Sequence, residues 1–425
     1  MEAVFSTWGA LIGLVLSIVL IVRKVSPAYA LILGALVGGV VGGGGLVKTV
    51  SAMISGTQAM MPSVLRILSS GVLVGALVKT GSAAKIADAI IRVLGAKFAL
   101  AAVALATLVV TSVGVFIDIA VITVAPVALA VGRRAGIGAP ALLLAMIGGG
   151  KAGNIISPNP NTIAVAEAFK LDLTATMMAN IIPAVVAFFV AVVISTWLSK
   201  RWKTCDTSVD VVSEADISDN GPSILQAILG PMAVIALLAM RPIFGILVDP
   251  LIALPVGGIV SILACGKWRY TVKYSEFGLS KVVGVSILLI GTGTVAGIVK
   301  GSALNADMIA LLNACHMPPW ALAPFSSILL AGATASTTAG VTIAAQTFSG
   351  TLAEAGVPAV SAAAMLHAGG TIFDALPHGS FFHATAGAVG MGVKDRLKMF
   401  PYGEIVGAAS TLTAVIVYLV RSQVG

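Results

Sequence analysis

Residues 148–169 read GGGKAGNIISPNPNTIAVAEAF, inside a chain that is otherwise apolar almost without interruption. A lipid-facing segment cannot carry adjacent glycines, a lysine, asparagines and prolines in this density. Each unpaired backbone group in hydrocarbon costs several kcal/mol, so irregular backbone survives there only where protein encloses it or a polar cavity lies beside it. The stretch is therefore expected to be the unwound centre of a broken membrane helix over 139–169. The rest of the chain is expected to be built to hold it.

Composition supplies the bilayer that this argument needs. Hydrophobic residues make up 58% and charged residues only 10%, where a soluble domain is about a quarter charged. Mean hydropathy is +1.06. The fold class that follows is an all-α polytopic membrane protein. The net charge of +8 could suggest a nucleic-acid partner, but the basic residues sit in short stretches between apolar runs, where they set orientation. No nucleic-acid partner is expected. Cys205, Cys265 and Cys315 are widely spaced and form no metal or redox motif, so neither metal nor cofactor is expected. The glycine run at 42–45 is followed by Leu46, which is not a phosphate-binding loop. The first 22 residues lack a basic leader pattern and read as a spanning helix.

A spanning helix takes about 20 apolar residues, and about ten such spans can be placed. Eight are continuous: 5–22, 29–46, 62–78, 176–198, 223–240, 246–265, 282–299 and 402–420. Two are interrupted, at 139–169 and 357–391. Segments 82–94 and 304–313 read as interfacial amphipathic helices. Segments 98–131 and 318–348 are too long for one span. Each has a polar centre, Thr111, Ser112, Gly114 and Asp118 in the first and ATASTTAGVT over 333–342 in the second. Both are expected to be re-entrant helical hairpins. Residues 201–222 are the one clearly soluble stretch and read as a linker.

The order of elements before the linker repeats after it. LVKTGSA at 77–83 resembles IVKGSA at 298–303, and Gly138-x-Pro140-Ala141 matches Gly356-x-Pro358-Ala359. Met146 then falls on Met365, and Pro158–Asn161 on Pro377–Ser380. Four matches in one register indicate two repeats, 1–200 and 223–425. With the amino terminus outside, most of the 25 lysines and arginines fall on the cytoplasmic side, as the positive-inside rule requires. The linker is then cytoplasmic and the repeats are inverted, the architecture of secondary transporters.

The residues also carry a family resemblance. The 148–169 stretch resembles the proline- and asparagine-bearing segment of the ion transporter superfamily, and the chain resembles the gluconate permease family, GntP, from about Pro62 to the end of the second interrupted span. The motifs are Asp118 in the first hairpin, SPNPN at 157–161, the hydroxyl-rich tip ATASTTAGVT, and FDALPHGSFFHA before the closing helix. The family's P-P-H-P-G-P is SPNPN here. The resemblance implies proton-coupled symport of a small carboxylate, a sugar acid or hydroxy acid, in a bacterial inner membrane. It also implies an elevator-type motion and a homodimer.

Half-helix N-termini offer free N–H groups and a positive dipole to a carboxylate. Asn154, Ser157, Asn159, Asn161 and Thr162 add side-chain donors from the first half. Ser336, Thr337, Thr338, His378, Gly379 and Ser380 do so from the second. Capping of the broken ends is the alternative role for all of them. Asp118 is an acid inside the membrane, a functional candidate by default, and its desolvation suits reversible protonation. Pairing with Lys151 is its alternative, and Lys151 could instead meet the substrate anion. Asp374 and His378 lie four apart and, on a helix, would form a relay. His367 and His383 are expected to satisfy backbone, and Glu167 to be solvated. Sodium in place of the proton is a second reading, because broken helix ends also suit that ion. An intramembrane hydrolase using Ser380, His378 and Asp374 is a remote third, without a nucleophile motif; no enzyme is expected.

Overall fold

The structure is a computed structural model and describes residues 4–202, 221–377 and 379–424. Nearly all of the expected linker at 201–222, and His378, lie outside the described residues. Among the described residues the chain is helical apart from turns and one isolated bridge between Phe5 and Ser302.

α1 (Thr7–Val22) and α2 (Pro27–Gly39) open the chain, and a π turn at Val40–Gly44 leads into α3 (Gly45–Ala59). The second span, expected to end at residue 46, is thus a kinked helix of 33 residues, Pro27–Ala59. Gly43 and Gly45 have φ of 93° and 63°, which glycine adopts without steric cost. The glycine run therefore bends the helix rather than ending it. α4 (Met61–Lys79) and α5 (Ser82–Leu94) follow. Asp88 of α5 is buried and accepts from Arg92 Nε at 2.8 Å, so this amphipathic helix does not turn all its charges to the exposed face.

Residues 98–131, expected as a hairpin, form α6 (Ala99–Ser112) and α7 (Ile117–Ala135), packed together. The turn between them carries Gly114 at φ 109°. α8 (Ala139–Asn154) and α9 (Pro160–Ala168) are separated by an irregular stretch, 155–159; α10 (Leu173–Ala179) and α11 (Ile181–Arg201) end the first half. The second half holds α12 (Ile224–Phe244), α13 (Pro250–Ala264), α14 (Thr271–Lys300), α15 (Leu304–Ala314), α16 (Leu322–Thr334), α17 (Thr337–Glu354), α18 (Ala359–Gly369), α19 (Ser380–Ala388) and α20 (Val393–Val424). α16 and α17 pack together around a turn at Ala335 and Ser336. Among the described residues, five helices are long and apolar enough to cross a membrane, and shorter apolar helices such as α1, α6 and α13 accompany them.

α14 and α20, at 30 and 32 residues, run well beyond their apolar windows. Lys273, Lys281, Lys394, Arg396 and Lys398, expected in loops, lie on helices. Lysine and arginine are good helix formers, so a helix passes through them.

The chain forms two compact units, each drawing on both sequence halves. The first comprises Met1–Ile67, Pro160–Ala179 and Val283–Asp374; the second comprises Leu68–Asn159, Asn180–Val282 and Ala375–Gly425. In the first, α1 packs on α2, and α17 packs on α16, α18 and α9. In the second, α8 is the central element, every one of its residues is buried, and it packs on α6, α7, α11 and α20.

The glycines of α8 correct the expectation that the whole 148–169 stretch unwinds. The helix continues to Asn154. Gly148 lies against Ala191 of α11, Gly149 against the backbone of Ala104 in α6, and Gly150 against Ile117 of α7. Three adjacent glycines let three different helices approach one backbone, a close-packing device of membrane bundles. Gly149→Leu is expected to cost about 3 kcal/mol through overpacking, read as a lower unfolding midpoint of purified protein. Gly284→Ala, where a methyl group meets nothing, is expected to be neutral or slightly stabilising. Equal effects from the two would refute the packing role.

Candidate functional site

In the first unit the hydroxyl-rich tip forms the start of α17. Ser336 is its N-cap, and the Ser336 hydroxyl accepts from the backbone N–H of Ala339 at 3.3 Å. Thr337 Oγ1 donates to Asp374 Oδ2 at 2.7 Å, and both residues are buried. Thr338, the next residue of α17, is half-buried. The turns on either side of this bond are strained. Ala335 has φ 46° and Phe373 φ 60°, a region that costs non-glycine residues of order 1 kcal/mol or more each. The Thr337–Asp374 bond ties the two strained turns to each other.

Asp374 was expected one helical turn from His378. Residues 370–377 are turns and bends, because α18 stops at Gly369 and Gly370, so the helical relation fails. The carboxylate meets Thr337 instead. Asn161 and Thr162 occupy the first turn of α9 and are buried. Glu167, expected to be solvated, forms a salt bridge with Arg66. His367, expected to satisfy backbone, is 0% exposed, and neither ring nitrogen has a protein hydrogen-bond partner among the described residues.

In the second unit the break after α8 is closed by its own asparagines. Asn159 Nδ2 donates to the carbonyl oxygen of Asn154 at 2.8 Å and to its Oδ1 at 2.7 Å. That clasp satisfies a carbonyl that the helix end would otherwise leave orphaned. Ser157 is buried in the same turn. Asp118 is the second residue of α7, half-buried, and its Oδ1 accepts from the Ile119 N–H at 2.9 Å. Gly379 is the buried N-cap of α19, while Ser380, its first residue, is exposed. α19 packs against α7. His383 Nε2 bonds the Pro377 carbonyl oxygen at 2.8 Å, the backbone role expected of it.

Lys151 is 2% exposed and lies 3.6 Å from Glu404 Oε1, with the Gly403 carbonyl at 3.4 Å. Its carboxylate is thus Glu404 of α20, not Asp118. Sequence reasoning missed Glu404, placed in the closing span, although an acid in an apolar span is itself a signal. It also missed Arg396, which is 1% exposed and stacks on the Phe382 ring at 5.2 Å. Its position among Lys394 and Lys398 concealed it.

Chemically, three half-helix N-termini carry the candidate residues: α9 and α17 in the first unit, α19 in the second. Each presents backbone N–H groups suited to an anion. Among the described residues, no group of His, Cys, Asp and Glu side chains is gathered that could hold a metal ion.

Residues 6–422 match the model of the GntP family permeases. The chain is 50% identical to an uncharacterized transporter of Haemophilus influenzae over 97% of this chain and 98% of that protein. A second protein of the same organism, an uncharacterized permease, is 24% identical over 68% of this chain and 66% of its own length. Among solved structures, that of the Alcanivorax borkumensis YdaH transporter, described as having an unusual topology, superposes with a TM-score of 0.68. It covers 96% of this chain and 98% of its own at 17% identity, a likeness of fold.

Proposed function

We propose that this chain, which belongs to the GntP permease family, is a secondary transporter that carries a small hydroxy- or sugar-acid anion together with a proton. Family and fold make it a multi-pass membrane transporter. The finer reading is ours. The observation that carries it is the Thr337–Asp374 bond. It joins the start of a half-helix, where an anion is favoured, to a buried carboxylate that can take up a proton. Asn161 and Thr162, in the first turn of another half-helix, suit the same anion. So do Ser336 and Thr338 at the start of α17; in the second unit Gly379 and Ser380, at the start of α19, suit an anion likewise, as does His378 by its chemistry. In the same unit Asn154, Ser157 and Asn159, at the clasped break after α8, complete the candidate set. Asp118 is the second proton carrier.

The remaining assignments are part of the same proposal. The two hairpins and two broken helices form inverted repeats and move together in an elevator-type cycle, in a homodimer. The protein sits in the bacterial inner membrane with its amino terminus outside and residues 201–222 in the cytoplasm.

Gluconate uptake into proteoliposomes tests this. An inward proton gradient is expected to drive accumulation without sodium, and a sodium gradient at equal pH is expected to drive none. Accumulation driven by sodium alone would replace the proton with sodium. Absence of uptake across gluconate and simpler hydroxy acids, under either gradient, would refute the substrate class.

A further inference from the structure

α9, α17 and α18 of the first unit pack on one another. Gly370, at the end of α18, lies against Val341 of α17, while Gly369 lies against Pro324 and Ser327 of α16. Three residues before Gly370, the helical period keeps His367 on the same flank of α18, toward α17 and away from α16. On α17, Gln346 Nε2 donates to the Ala164 carbonyl of α9 at 3.5 Å. Thr342 lies one turn from Gln346 and next to Val341, so it points between α9 and α18. His367 and Thr342 thus converge on one three-helix junction.

Both side chains are 0% exposed. Neither ring nitrogen of His367 nor the Thr342 hydroxyl has a protein partner among the described residues. Other buried threonines here, Thr107, Thr111 and Thr292, bond the carbonyl four residues back; Thr342 does not. Buried polar atoms without partners are costly, and three of them meet in this place.

Their chemistry specifies what completes them. A neutral imidazole offers one donor and one acceptor, and a threonine hydroxyl offers both. Among the described residues, the acids of the neighbouring elements are engaged elsewhere or exposed. α10 and α16 carry no acid, Glu354 is exposed at the end of α17, Glu167 of α9 is salt-bridged to Arg66, and Asp374 is bonded to Thr337. A bare cation cannot accept from the ring, and a carboxylate cannot donate to it. A hydroxyl does both.

We propose that the α9–α17–α18 junction is a binding site for a hydroxyl group, held between His367 and Thr342. The hydroxyl comes from an internal water molecule or from the hydroxyl of a transported hydroxy acid. The second source rests on the carboxylate reading above; the first does not.

The test is nitrogen NMR of protein labelled with ring-15N histidine and held in lipid nanodiscs, with gluconate as probe. The His367 signal is the one lost in His367→Gln. Should that variant not fold, it is found by elimination with His316→Gln, His378→Gln and His383→Gln. The expected result is magnetisation exchange between the His367 ring and water in ligand-free protein, lost in Thr342→Val. Loss of that exchange on adding gluconate assigns the site to the substrate hydroxyl, and its persistence assigns it to water. A His367 ring that neither exchanges with water nor shifts with gluconate overturns the proposal. If gluconate gives no thermal shift of the wild-type protein while the water exchange is present, the carboxylate reading fails and the site stands.

Discussion

Asp118→Asn is expected to lower proton-driven gluconate uptake by at least about a hundredfold, the scale on which a single proton-transferring group acts. Exchange of external for internal gluconate is expected to persist, because exchange moves no net proton. Asp118 lies at the start of α7, just past the Gly114 turn, and is the only acid between residues 98 and 131. Asparagine keeps the shape and an oxygen that can accept from the Ile119 N–H. The change thus removes the titrating charge and little else. Asp374→Asn should behave differently, since Thr337 can still donate to the amide oxygen but the charge beside the α17 N-terminus is lost. There, uptake and exchange are expected to fall together. Undiminished pH-driven uptake in Asp118→Asn would end its assignment as a proton carrier.

The sequence was most legible where local rules act alone. Proline, glycine and asparagine at 157–161 and 377–380 announced helix interruptions, and the structure breaks its helices at 155–159 and over 370–377. The polar tip at 333–342 announced the turn between α16 and α17. What could not be read depended on a partner distant in sequence. Gly148–Gly150 look like a helix breaker until Ala191, Ala104 and Ile117 are seen against them. Asp374 looks like the neighbour of His378 until Thr337 is found bonded to it from 37 positions away. Arg396 looks like an orienting loop charge until its helix turns it onto Phe382. Periodicity identifies an element and its caps, but a ligand-sized site in a bundle is made of contacts between elements, which no local pattern encodes.

Lys151 is the sharpest such case, and its replacement carries the largest expected loss of stability. Removing one member of a buried ion pair leaves the other charge uncompensated, which costs about 3–5 kcal/mol. Lys151→Met is therefore expected to destabilise on that scale, since it takes the ion-pair partner at 3.6 Å from Glu404, which is only 8% exposed. Glu404→Met, which takes from Lys151 the carboxylate beside it, should cost a similar amount. The double variant is expected to regain most of the loss, because apolar side chains of similar volume often replace a buried pair at no cost or with a gain. Unfolding midpoints of the four proteins give the coupling directly; additive losses would mean that the 3.6 Å pair is not an energetic unit. The same double variant decides a functional question. Lys151 could have been the cation that meets the substrate carboxylate, but Glu404 already neutralises it and the Gly403 carbonyl takes a further bond. The double variant is accordingly expected to keep gluconate uptake. A folded double variant without uptake would return Lys151 to the binding site and displace the half-helix N-termini from that role.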